Sequence, residues 1–160
     1  MTATTVLADR AWRQTVTTAP APVTGTASQA AAPRVWALPH RAQASATARR
    51  AAGVTLTGWG MSEDAMAPAL LVVSELVTNA VEHALPPVTL QLARPDEGTL
   101  HIEVTDSGPA SQEGPWTASC GDDEHGRGRT IIAALATAHG CYTPAGTRAS
   151  THWAALSTAD

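Results

Sequence analysis

The sequence predicts an α+β fold: a two-layer sandwich whose mixed, mostly antiparallel sheet is covered by helices on one face. Three observations predict it. The patterns run strand, helix, helix, strand, strand, loop, helix, strand, strand. Consecutive strands are joined by short turns, as antiparallel neighbours are. The length, 160 residues, suits one domain of ordinary size plus a tail.

Residues 1–33 are rich in Ala, Thr and Pro without a sustained period, and read as a flexible tail. Within it, Val6–Val16 has the composition of a short helix able to dock on a partner; plain disorder is the other reading. The domain is expected over 34–157. Val35–Leu38 is a short strand candidate, and His40–Leu56, rich in Ala and Arg, reads as a helix ending near Gly58-Trp59-Gly60. Ser62 has the chemistry of an N-cap, with Glu63 and Asp64 in the first turn, where carboxylates suit the helix dipole. The helix it opens runs to about Ala84. Pro68 could kink or split it, and Pro86-Pro87 forbids continuation.

Val88–Leu92 and Leu100–Val104 alternate apolar with polar residues, and Asp96-Glu97-Gly98 supplies a turn between them. Residues 107–125 have no period and carry an acidic end, Asp122-Asp123-Glu124; long loops of this kind often serve as lids. A helix is expected over Gly128–His139, then strands over Gly140–Thr143 and Thr151–Leu156.

Composition narrows the function. The net charge is −4, against a nucleic-acid binder, which would show a basic face. All ten basic residues are Arg. A P-loop, a eukaryotic-type protein kinase and Schiff-base chemistry each need a Lys, so none operates here in its usual form. No run approaches the roughly 20 consecutive apolar residues of a membrane span, and the N-terminus lacks a signal-peptide pattern. A cytoplasmic protein without membrane attachment is expected, its two cysteines, Cys120 and Cys141, reduced. Cys120, Asp122, His125 and Cys141 lack any standard zinc spacing, and no GxSxG nucleophile elbow is present.

Four segments carry chemistry. In Ser74–Ala84, Glu75 and Asn79 fall about 40° apart on a helix, with Glu82 and His83 on either side. Val73, Val77, Ala80 and Ala84 form the opposite, packable face. Asn79 is the only Asn in the chain; its amide oxygen is a hard donor suited to magnesium shared with phosphates. Glu75, one turn earlier, could accept a proton or orient a water. An ordinary amphipathic helix would show the same polar face. In the second segment, Ile102–Pro109, Asp106 sits where a strand meets a Gly-containing loop. It could accept a hydrogen bond from an exocyclic amine, with Gly108 permitting close approach to a flat ring. A turn Asp is the bland reading. In His125–Ile131, Gly126 and Gly128 precede a helix, so free amides and the helix dipole favour an anion, to which Arg127 or Arg129 could add charge-assisted bonds. A hinge would look alike. Gly146-Thr147 with Thr151 could place a hydroxyl near a purine, a weak signal on its own.

Together and in this order the four segments resemble the GHKL (Bergerat-fold) ATP-binding domain, and within it the small RsbW-like anti-sigma-factor serine kinases. ELVTNAVEHA looks like the N-box, VTDSGP the G1 box, GRGRTIIAALA the G2 box, and the Gly146–Thr151 region the last nucleotide-binding element. The resemblance covers roughly residues 34–157. It implies ATP and magnesium as cofactors, with Asn79 the magnesium ligand and Glu75 the general base. Asp106 would accept from the adenine amine, Gly108 would admit the ring, and Gly126, Arg127 and Gly128 would hold phosphates. His83 would line the nucleotide site and Thr151 would support the adenine end. It further implies a sigma factor or an anti-sigma-factor antagonist protein as partner, and leaves a homodimer open. The chain departs from the pattern at Ala110, which replaces the second glycine of DxGxG, and at Arg129, where the family has an apolar residue. An acidic stretch also stands where kinase members carry an Arg. The departures keep a second expectation open: an ATP-sensing binding module without kinase activity. The chain has no room for a phosphoacceptor helical hairpin, which sets a full histidine kinase aside.

Overall fold

In a computed structural model, the structure describes residues 30–110 and 126–159. The tail up to residue 29 and the loop over 111–125 lie outside the described residues. The elements are β1 (Ala31–Leu38), α1 (Ala44–Gly58), α2 (Glu63–His83), β2 (Val88–Asp96), β3 (Thr99–Asp106), α3 (Gly126–Leu135), β4 (Ala138–Tyr142) and β5 (Ser150–Ser157). They form the expected two-layer sandwich. The five strands run in the order β1-β2-β3-β5-β4, with every neighbouring pair antiparallel.

The helical layer is built on small residues. Ala44, Ala48, Ala52 and Leu56 repeat every fourth position of α1, and all four are fully buried. Three methyl-sized side chains in a row let α1 approach α2 closely. Arg49 adds a polar tie, donating from Nη1 to the Ser74 hydroxyl of α2 at 3.0 Å. Helix α2 is the central helix: Val72, Val73, Leu76, Val77 and Ala80 join Leu90, Leu92, Leu100, Ile102, Val104 and Leu156 of the sheet in one core. Its Ser62 hydroxyl accepts from the Ala65 amide at 3.3 Å, the expected N-cap. Pro68 lies inside α2 without splitting it. So near the N-terminus the missing amide costs one hydrogen bond and the packed apolar stripe carries the helix through. By length and hydropathy α2 could cross a membrane, but Val72, Val73, Leu76 and Val77 belong to the core, while Leu71 is exposed.

Several boundaries differ from the sequence reading: α1 begins at Ala44 rather than His40, and β2 runs on to Asp96 beyond Leu92. β1 starts at Ala31, inside the expected tail, because pairing with β2 as far as Arg94 extends it. α3 starts at Gly126 and ends at Leu135, and β4 takes up Ala138 and His139, because β4 pairs with β5 from Ala138 onward. One expectation is corrected: Cys141 is disulfide-bonded, not reduced. The chain's other cysteine, Cys120, lies outside the described residues. Sequence spacing carries no information on whether two cysteines meet the short Cα separation a disulfide needs.

Candidate active site

The polar face of α2 points along one edge of the helical layer, toward α3. Glu75 and Asn79 are both half-buried there. Gly128, in the first turn of α3, rests on them: a Cβ built on it would stand 2.5 Å from Glu75 Oε2 and 3.8 Å from Asn79 Nδ2. A carboxylate, an amide and a backbone glycine are thus brought together from segments 49 residues apart in sequence. Gly126 and Arg127 open α3, so the glycines lie in the first turn, not ahead of it. The first four amides of any α-helix lack an intrahelical acceptor, which suits this turn to an anion.

The second half of the site forms where β3 ends. Asp106 is buried, and its Oδ1 accepts from the Gly108 amide at 2.8 Å. Burial pushes its carboxyl above the ordinary range, while the amides of Gly108 and Ser150 pull it back. Gly108 has φ +95, a left-handed conformation that disfavours any Cβ, and a Cβ there would stand 2.6 Å from the Arg148 carbonyl oxygen. The loop is zipped to the end of α2: Leu85 N–H donates to Gly108 O, Ser107 N–H to Leu85 O, and Ala110 N–H to His83 O. His40 closes the join from the far side, its Nε2 donating to the Ala84 carbonyl at 2.8 Å. The Asp106 carboxylate therefore stands at a fixed place beside the C-terminus of the helix that carries Glu75 and Asn79.

His83 is the last residue of α2, 28 % exposed, with Nε2 3.7 Å from the Glu82 carboxylate. Thr151 is placed elsewhere. It pairs with Thr105, sharing a 2.8 Å hydrogen bond between the two hydroxyls. Ser150 is the β5 residue in register with Asp106. Side chains alternate along a strand, so Ser150 shares the face of Asp106 and Thr151 points to the other. Ser150 was invisible in the sequence because a one-residue change of register exchanges the faces. His152 was missed as well. It lies two residues beyond Ser150 on the helix-side face, with its pKa lowered to about 4, first by burial and then by the charge of Arg129 on α3.

The donor set fits a nucleotide with a hard cation. Asp106 offers a buried carboxylate held in place by the Gly108 amide. Asn79 offers one amide oxygen, and the remaining ligands of a magnesium ion would come from phosphate and water. Among the described residues no cluster of three or more His, Cys, Asp or Glu is assembled. Cys141, engaged in its disulfide, is no longer a thiolate ligand for zinc.

The sequence pattern of the histidine kinase-like ATPase domain matches residues 38–153. No curated protein matches the chain. Among solved structures, the chain is similar to the RsbU and RsbW domains of Rv1364c from Mycobacterium tuberculosis, with 19 % identity and a TM-score of 0.57 over 78 % of this chain. The match takes in 32 % of that chain, about a third of its length. At this identity the likeness concerns the fold, and the fold agrees with the site built above. With the pattern spanning both the Glu75–Asn79 face and the Asp106 carboxylate, the chain belongs to the histidine kinase-like ATPase (GHKL) family and is one of its ATP-binding domains.

Proposed function

We propose that the protein is a cytoplasmic, magnesium-ATP-dependent regulatory kinase of the anti-sigma-factor type. It would phosphorylate a serine or threonine on a small antagonist protein and bind that antagonist or a sigma factor as alternative partners. The observation that carries this reading is the convergence of Glu75 and Asn79 of α2 with Gly128 of α3, with the buried Asp106 carboxylate beside the C-terminus of α2. Phosphoryl transfer needs positioning and charge neutralisation more than covalent help from the protein. Asp106 orients the base by accepting from the adenine amine. Asn79 would hold magnesium, which would supply charge neutralisation on the phosphates. The substrate hydroxyl oxygen bonds to the γ-phosphorus as the bond to the β,γ-bridging oxygen breaks. ADP leaves, and the hydroxyl proton passes to the Glu75 carboxylate.

One observation favours a second reading. Gly128 lies against the Glu75 carboxylate, so in this arrangement α3 covers the base. A domain that stays so would bind ATP, reorder its 107–125 loop and change its surface without transferring phosphate, as an order–disorder switch. The test is calorimetric titration of magnesium-ATP into the wild type and Asn79→Ala, followed by radiolabelled phosphate transfer to co-purifying protein. Binding that depends on Asn79, with transfer that depends on Glu75, is the expected result for a kinase. Binding without transfer selects the sensor, and no binding by a folded wild type overturns both.

A further inference from the structure

Strand β1 is one edge of the sheet, and among the described residues no strand pairs with its outer side. Pro33 has no N–H to offer a neighbour, so the edge available for pairing is Arg34–Leu38. Beside this edge, on the helix side of the sheet, β1 and α1 leave a groove of about 590 Å³ between them. Arg34 and Trp36 reach it from β1, Arg50 and Val54 from α1, and Trp59 from just beyond the end of α1. The strand register explains the first two. Arg34 and Trp36 pair with the core residues Leu92 and Leu90, and so share the helix-side face two positions apart. The groove is preformed: Trp36 and Trp59 back onto the core, and Arg94 Nη1 of β2 donates to the Trp59 carbonyl.

Two properties mark this place as a surface for a partner. Val35, at the edge, and Val54 are 60 % and 78 % exposed, the two most exposed large apolar side chains among the described residues. Arg34 and Arg50 are both exposed, and among the described residues no carboxylate lines the groove or pairs with either guanidinium. On a chain of net charge −4 this is a local reversal of sign. Two cations are too few to track a phosphate backbone, but they suit a carboxylate, which a guanidinium binds in a fork.

We infer that the β1 edge is an interaction surface for an extended acidic segment of a partner protein. The segment adds to Arg34–Leu38 as a further strand, a mode in which backbone bonds give affinity and alternate side chains give specificity. Side chains two apart on its helix-side face then meet Arg34 and Trp36. The pattern recognised is therefore a carboxylate and an apolar residue at i and i+2, with Arg50 facing the carboxylate from α1. A second copy of the chain fits worse. Edge-to-edge pairing would gather Arg34 and Arg50 of both copies at one seam, and β1 carries no acidic residue to answer them. The surface is separate from the proposed nucleotide site, since α3 rests toward β4, the opposite edge of the sheet.

The test uses the full-length chain and a fluorescein-labelled peptide, Thr-Glu-Thr-Leu-Thr-Glu-Thr, whose Glu and Leu side chains share one face of a strand. Fluorescence anisotropy should show saturable binding, and the same peptide with Lys for both Glu should bind roughly tenfold more weakly or worse. Arg34→Glu/Arg50→Glu should reverse that preference. Oxidative footprinting should show the acidic peptide protecting Trp36 and Trp59 while labelling of Trp153, buried at 6 % exposure, stays unchanged. Circular dichroism checks the variant's fold; if it fails to fold, Arg34→Gln/Arg50→Gln replaces it, with the preference abolished rather than reversed. No binding of the acidic peptide by the folded wild type at millimolar concentration overturns the inference, as does an unchanged preference in a folded variant. Protection of Trp36 and Trp59 that rises with protein concentration in the absence of peptide also overturns it, in favour of a second copy of the chain.

Discussion

Gly128 lies on the Glu75 carboxylate, with a would-be Cβ 2.5 Å from Oε2. The clash is with the end of a flexible side chain, so a methyl group here displaces the carboxylate before it displaces the helix. Gly128→Ala should therefore separate stability from function. Alanine improves helix propensity by about 1 kcal/mol, so the thermal midpoint holds or rises. Phosphate transfer, or nucleotide binding if transfer is absent, should fall about tenfold, which is about 1.4 kcal/mol. Thermal unfolding and a radiolabelled transfer assay on one preparation check both halves.

Asp106→Asn tests base recognition. The amide keeps an oxygen for the Gly108 N–H but adds a donor facing the adenine amine. ATP affinity should fall by roughly tenfold or more, the equivalent of about 1.4 kcal/mol, with a smaller loss for GTP. Competition between the two nucleotides, measured calorimetrically, gives the ratio directly.

The two neighbouring β5 hydroxyls should part company. Ser150→Ala should weaken ATP binding, because the Ser150 hydroxyl shares the sheet face of Asp106, with which Ser150 is in register, while the backbone amide that helps hold that carboxylate is retained. Thr151→Val should leave ATP affinity unchanged and cost about 1 kcal/mol of stability through the lost bond to Thr105. Equal effects of both on ATP affinity would refute the register argument.

Gly108→Ala should be strongly destabilising. It combines φ +95 with a contact of 2.6 Å from the new Cβ to the Arg148 carbonyl, a backbone atom with little freedom to retreat. A cost of about 2 kcal/mol or more is expected, read from the denaturation midpoint.

His152 makes stability depend on pH. Its folded pKa of about 4 lies below its ordinary 6.5, so the folded state keeps it neutral while the unfolded state takes up a proton. The contribution is full above pH 6.5 and is lost as pH falls toward 4, by up to roughly 3 kcal/mol at about 1.36 kcal/mol per unit. His152→Gln should flatten unfolding curves between these limits. Arg129→Leu should raise the His152 pKa, seen by NMR titration, since it removes the second of the two causes.

Much of the fold was legible because the signals were local. The Ser62 cap, the apolar stripe of α2 and the Asp96–Gly98 turn are each decided within a few residues, and the structure reproduces them. Glu75 and Asn79 were legible as neighbours because 3.6-residue periodicity fixes their angle. What escaped the sequence was set by partners distant in the chain. β1 gained four residues from pairing with β2, α3 gave up its end to β4, and Ser150 rather than Thr151 met Asp106. The Cys141 disulfide and the burial of Glu103 and Trp153 belong to the same class, since tertiary proximity leaves no mark at the residues concerned.

Asp106 closes β3, the strand bordered on both sides by paired neighbours, whereas Gly128 belongs to a ten-residue helix resting mainly on α2 and β4. On the proposed reading, the half of the site that would read the base is stiff and the half that would read phosphates is yielding. Purine nucleotides that share a base would then arrive at one common rate, and the number of phosphates would be expressed in how long each stays.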